Sequence, residues 1–269
     1  MHSNSFYNLN DRQTSILVFS TLICLAITGK LVAQYCTPSE YQENVKISYK
    51  LILTFFCLLY LAYNKSTLEI HLFRSMKWAL ILSGIAIIFA HQIVQLGLST
   101  KGIIYSYDKM VRYSSNNIAT GIFEELTFRL LLFFTILKYH PHGSNLKIAC
   151  YTSFVFGLVH FTSFFNDTIP LSVIIQMIFA FGIGLLLQAI LIRSGNIILV
   201  IFLHACINHA GAYASYFSKF PHDTSSSYTF THFVSNVILF SLIIILVILP
   251  ISLILLKENR LYTPVSPSL

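Results

Sequence analysis

Apolar runs too long for an ordinary soluble core recur from one end of this chain to the other. Eight of them, at roughly 14–34, 47–63, 77–98, 118–138, 146–165, 170–192, 196–215 and 232–256, reach or approach the ~20 residues an α-helix needs to cross a bilayer. Inside hydrocarbon every backbone N–H and C=O must be satisfied internally, which leaves helices or a closed barrel. Runs of this length select helices. The expected fold is all-α, a polytopic membrane helix bundle with about eight transmembrane helices, forming a single membrane domain over residues 1–269. Composition agrees, because only 10% of residues are charged against about 25% in soluble domains.

The 17 Lys and Arg outnumber the 10 Asp and Glu, but the cations sit in short connections between apolar runs. That placement fits interfacial anchoring and anionic lipid and excludes nucleic acid as a partner. Lys50 is counted here with the connection cations. The cations divide almost evenly between the two sides, so the positive-inside rule sets no orientation. The five cysteines form no CxxC pair and are read as small core residues. The segment 99–117 is read as a polar connection between the third and fourth helices.

Four polar clusters interrupt the apolar runs. The fourth expected helix carries Glu124-Glu125-Leu126-Thr127-Phe128-Arg129. A charge at a helix centre costs ~2.5–3.5 kcal/mol by insertion scales, so ionisable residues there mark a site by default. Glu125 and Arg129 are four apart and share a face, which predicts an ion pair. Glu124 points about 100° away on an ideal helix and is left for another role. His160 closes the fifth helix. His204 and Asn208 lie at i, i+4 on one face of the seventh. On the sixth helix, Gln176 precedes Ala180, Gly182 and Gly184, a pattern that reads first as close helix packing. Interfacial ion pairing and interhelical hydrogen bonding are the plainer uses of these groups. At about 1.5 Å per residue, with successive helices running in opposite directions, all four of Glu124, His160, His204 and Asn208 fall within one or two turns of a common depth.

A carboxylate beside an imidazole in a site of restricted water can activate a water molecule as nucleophile, a general-base effect worth about 10²–10⁴-fold. A second His and an Asn amide supply donors for a developing oxyanion. Together these point to hydrolysis of an acyl bond, most simply a peptide. A zinc hydrolase using Glu124, His160 and His204 as ligands is the alternative, although the sequence has no His-Glu-x-x-His. No Gly-x-Ser-x-Gly motif supports a serine nucleophile.

The order Glu-Glu-x-x-x-Arg, Phe-x-x-x-His, His-x-x-x-Asn on successive membrane helices resembles the CPBP (or Abi) family of intramembrane proteases, which includes the type II CAAX prenyl endopeptidases. The resemblance covers about residues 118–214, a catalytic core within the domain. It implies an eight-helix bundle with a conical cavity. It also implies Glu124 as general base, His160 holding the attacking water, His204 and Asn208 as the oxyanion site, and Glu125 with Arg129 in support. Family members are named metalloproteases, yet a metal-independent glutamate mechanism is also proposed for them. With no metal motif in this sequence, the expectation is no required cofactor, with a divalent metal such as zinc as the alternative.

The expected function is therefore an intramembrane endopeptidase in the cell membrane. Its partners are the bilayer and a peptide or membrane-protein substrate, in peptide processing or bacteriocin self-immunity. The rival readings are a non-catalytic membrane immunity or binding protein, and a transporter with Glu124 as its proton site. Against the transporter stands the lack of inverted repeats.

Overall fold

A computed structural model describes residues 9–63, 106–133, 135–136, 144–165, 170–217 and 230–257, and among them there is no strand. Helix α1 (Leu9–Leu31) continues into a π-helical turn, Val32–Cys36, and α2 spans Gln42–Tyr63. Helix α3 (Tyr107–Glu125) runs directly into a second π-helical turn, Leu126–Leu132. Helix α4 (Asn145–Val159) ends in a 3₁₀ turn, His160–Phe165, and is followed by α5 (Pro170–Ser194) and α6 (Ile197–Phe217). Helices α7 (Phe230–Ile243) and α8 (Leu249–Lys257) form one rod through a third π-helical turn, Ile244–Ile248. Four stretches among the described residues are long and apolar enough to cross a membrane: Gln13–Cys36, Gln42–Tyr63, Ser172–Ser194 and Val237–Lys257. The all-α, polytopic architecture stands. The expected third span, 77–98, lies outside the described residues.

One boundary differs from the sequence reading. Residues 107–117 are helical, not a connection, so α3 begins at Tyr107. The helix is amphipathic there and hydropathy alone does not find it. Its buried Tyr113 packs with Tyr213 and Phe217, and Met110 and Tyr216 lie against them.

The chain divides into two compact units. The first holds α1, α2, α3 with its π turn, and α6 from Ile201 onward. Small residues and a few polar ties set its packing. Gly29 leaves room for the Tyr49 ring, since a Cβ there would lie 2.7 Å from it. Ser15 and Tyr60 join α1 to α2 by a 2.7 Å hydroxyl–hydroxyl bond. Phe19 of α1 meets Phe128 of the π turn edge to face. Gly121 brings α3 against α6, where a Cβ would come 3.2 Å from the Ile201 carbonyl oxygen.

The second unit contains α4, α5, the start of α6, and the α7–α8 rod. Its glycines do what the small-residue pattern suggests. Gly157 lies against Met177 and Phe181, and Gly184 against Ser153 and Phe156. At Gly182 a Cβ would sit 2.6 Å from the Ile244 side chain. Close approach of backbones is how membrane helices gain dispersion contacts without a hydrophobic drive. Gln176 is exposed. Between α5 and α6 the chain reverses at Gly195, whose φ of 63° is the left-handed conformation favoured by glycine. Its N–H bonds the Leu191 carbonyl at 2.8 Å. The Asn196 side chain then caps α6 by accepting from the Leu199 N–H at 2.9 Å.

Candidate functional site

The first unit gathers four of the expected site residues into one chain of contacts. Arg129 Nε lies 3.2 Å from Glu125 Oε2, and both side chains are fully buried. The spacing that predicted the pair spans the junction of α3 with the π turn. Such turns frequently occur at functional sites. Glu125 does more than neutralise the arginine. Its other oxygen, Oε1, lies 2.6 Å from His204 Nδ1, and on the far side of the same ring His204 Nε2 lies 3.4 Å from Glu124 Oε2. The series is guanidinium, carboxylate, imidazole, carboxylate.

Glu124 therefore does not stand apart from Glu125 in the way an isolated helix suggests. The two carboxylates leave α3 at different angles, and His204 of α6 stands between them with one ring nitrogen toward each. The close approach of α3 and α6 at Gly121, one turn earlier, lets the imidazole reach that position. An ionised carboxylate oxygen only accepts hydrogen bonds, so the short contact to Glu125 places a proton on Nδ1. That contact fixes the ring's orientation, as the carboxylate partner of a catalytic histidine does. His204 is nearly inaccessible, whereas the Glu124 side chain is 22% exposed. Of the two carboxylates, Glu124 alone can meet a water molecule.

Asn208 lies one helical turn beyond His204 on α6 and is partly exposed. The Tyr113 hydroxyl holds this stretch of backbone, donating to the His209 carbonyl at 2.5 Å and more weakly to that of Asn208 at 3.4 Å. Burial raises the Tyr113 phenol to about 12, so it remains a donor throughout the physiological range.

His160 belongs to the second unit, at the first residue of the 3₁₀ turn that ends α4. Its Nδ1 lies 3.0 Å from the Phe156 carbonyl oxygen, and its ring meets Phe156 edge to face. A carbonyl accepts only, so Nδ1 carries the proton and Nε2 of the neutral ring is left as an acceptor. Phe156 of the Phe-x-x-x-His motif thus orients the histidine through both its backbone and its ring.

One residue packed against α3, Lys50, is not among the site candidates read from the sequence. Lys50 of α2 bonds Asn116 Oδ1 at 2.8 Å and Thr120 Oγ1 at 2.6 Å, so it is no connection cation but part of the α2–α3 packing. The signal that could have revealed it is the row Asn116, Thr120, Glu124 at intervals of four. Among the described residues, no three His, Cys, Asp or Glu side chains are arranged to hold a metal ion. In the first unit, Glu125 is engaged at one oxygen by Arg129 and at the other by His204.

Spanning helices that carry a buried ionic chain beside an accessible carboxylate define a polytopic membrane protein with an ionisable site. A family model described as type II CAAX prenyl endopeptidase, Rce1-like, matches residues 108–210. The matched segment contains Glu124, Glu125, Arg129, His160, His204 and Asn208, and it covers less than half of the chain's 269 residues. By that match and its motifs, this segment is similar to the CPBP family of intramembrane proteases. No curated protein and no solved structure matched the chain.

Proposed function

We propose that the chain is an intramembrane endopeptidase of the cell membrane that hydrolyses a peptide bond of a membrane-associated or hydrophobic peptide. The observation that carries this reading is the graded accessibility of the ionic chain. Arg129 and Glu125 are sealed, His204 is nearly so, and Glu124 alone opens outward. Such a gradient suits a general base supported from behind.

In this reading Glu124 takes a proton from a water molecule as the water oxygen bonds to the scissile carbonyl carbon. The family resemblance gives His160 the role of holding the attacking water. The oxyanion receives hydrogen bonds from the Asn208 amide and, with the His204 ring protonated at both nitrogens between its two carboxylates, from His204 Nε2–H. The 3.4 Å separation of Nε2 from Glu124 is long enough for a substrate carbonyl oxygen to compete for that donor. Collapse of the tetrahedral intermediate breaks the C–N bond, and Glu124 returns its proton to the leaving amine. No step needs a metal.

Comparative peptidomics of membranes from cells carrying wild type or Glu124→Gln tests the proposal and yields the substrate. An uncleaved precursor should accumulate in the variant, and its sequence would place the protein in peptide processing or in self-immunity. Identical peptide profiles, with any immunity phenotype intact in Glu124→Gln, would sink the protease reading in favour of a binding protein.

A further inference from the structure

A lysine within a membrane-crossing helix is costly unless something requires its charge. Lys50 lies in the spanning stretch Gln42–Tyr63. Its two hydrogen-bond partners, Asn116 Oδ1 and Thr120 Oγ1, are both neutral. The Thr120 hydroxyl proton is directed to the Asn116 carbonyl at 2.7 Å, so the lone pairs of Thr120 face the ammonium. The result is a closed cradle with a defined polarity. Lys50 has no ion pair with a carboxylate of the described residues.

The cradle residues fix where that charge sits. Asn116, Thr120 and Glu124 follow one another at four-residue intervals along one row of α3, and one such interval is a rise of about 6 Å. The ammonium is thus held about one turn from the level of Glu124. A mere tie between α2 and α3 needs donors but no charge, and a glutamine would supply it more cheaply. His204 and Arg129 bring positive or donor groups from other directions, but both are already engaged by Glu125. Lys50 has only the neutral Asn116 and Thr120 as hydrogen-bond partners in its cradle.

We propose that Lys50 is a positioning residue for Glu124: cradled by Asn116 and Thr120, its ammonium supplies a fixed positive charge that steadies the Glu124 carboxylate for its work on water. This inference rests on the endopeptidase reading above.

The test uses the full-length protein in nanodiscs and internally quenched peptides ending in a Cys-aliphatic-aliphatic-X sequence, with and without a prenyl group on the cysteine. Lys50→Gln keeps hydrogen-bond donors for the cradle and removes only the charge. It should lower kcat about tenfold or more with KM within twofold, while Lys50→Arg retains most of the wild-type kcat. Lys50→Cys should be as slow as Lys50→Gln and regain activity after aminoethylation with 2-bromoethylamine but not after carbamidomethylation with iodoacetamide. Wild type carried through both reagents controls for the native cysteines. Unchanged kcat in Lys50→Gln, a rise in KM alone, or equal rescue by the neutral adduct would overturn the inference while leaving the protease reading intact. If Lys50→Cys does not survive purification, Lys50→Gln and Lys50→Arg decide it between them. Failure of the wild type to cleave any of these peptides, together with unchanged membrane peptidomes, would remove the protease reading and this inference with it.

Discussion

The Oε1 atom of Glu125 lies 2.6 Å from Nδ1 of His204, while Oε2 of the same carboxylate faces Arg129. One buried side chain thus ties a π-helical turn on α3 to a histidine on α6. Glu124, its neighbour in sequence, meets the other nitrogen of the same ring. The two glutamates therefore have separable consequences when changed.

Glu125→Gln should cost about 3–5 kcal/mol of stability, because it leaves the Arg129 charge buried without its counter-ion. Glu124→Gln keeps every buried pair and should leave the melting temperature almost unchanged while abolishing cleavage. Thermal unfolding of the two variants side by side in one detergent checks the contrast. Equal destabilisation of both would contradict the division of labour.

Asn208→Ala should lower kcat by about 10²–10³, the usual loss for one oxyanion donor, with little change in KM. His204→Gln should lose at least as much. It removes a donor and also releases Glu125 from its second partner. Single-turnover kinetics on both variants would show whether the loss lies in the chemical step.

Gly121→Val should displace α6 from α3, since even a Cβ at this position comes 3.2 Å from the Ile201 carbonyl and 3.4 Å from the Ala205 nitrogen. Overpacking of this kind costs about 1–3 kcal/mol, and Gly121→Ala should cost less. Because His204 adjoins Ala205, activity should fall further than stability in the valine variant. Comparing melting temperature with kcat across the glycine, alanine and valine series tests this.

Tyr113→Phe should cost about 1 kcal/mol through the lost hydroxyl bond to the α6 backbone. Burial holds the Tyr113 phenol at about 12, above the ~10 of an unfolded tyrosine. Its contribution is therefore complete below pH ~10 and disappears only as pH rises through about 12. The melting-temperature difference between wild type and Tyr113→Phe should be the same at pH 6 and pH 9. A difference that shrinks between those values would be inconsistent with the assigned donor.

Cleavage should persist after exhaustive chelation, and elemental analysis of the purified active protein should find no stoichiometric transition metal. Loss of activity on chelation, with recovery on adding zinc, would instead favour Glu124, His160 and His204 as ligands.

The helices were legible in the sequence because bilayer crossing imposes length and apolarity, and the Glu125–Arg129 pair because four residues make one helical turn. What escaped reading depended on tertiary placement. Residues 107–117 are too polar for a hydropathy signal, yet Tyr113 is buried among aromatic rings. Lys50 looks like an interfacial cation until its partners Asn116 and Thr120, distant in sequence, are brought beside it. The two glutamates seem to diverge on an ideal helix. Only the insertion of His204 between them, which depends on Gly121, makes them neighbours of one ring.

The Arg129–Glu125 contact is local, whereas the His204–Glu125 contact joins positions 79 residues apart. During synthesis the first can therefore form as soon as the α3 turn exists, long before α6 has left the ribosome. The segment can enter the bilayer already carrying its own counter-ion, so the guanidinium need not wait in lipid for a later helix to neutralise it. Order of assembly is thus written into the site: the arginine pair makes the segment insertable, and the histidine arrives afterwards to complete the ionic chain.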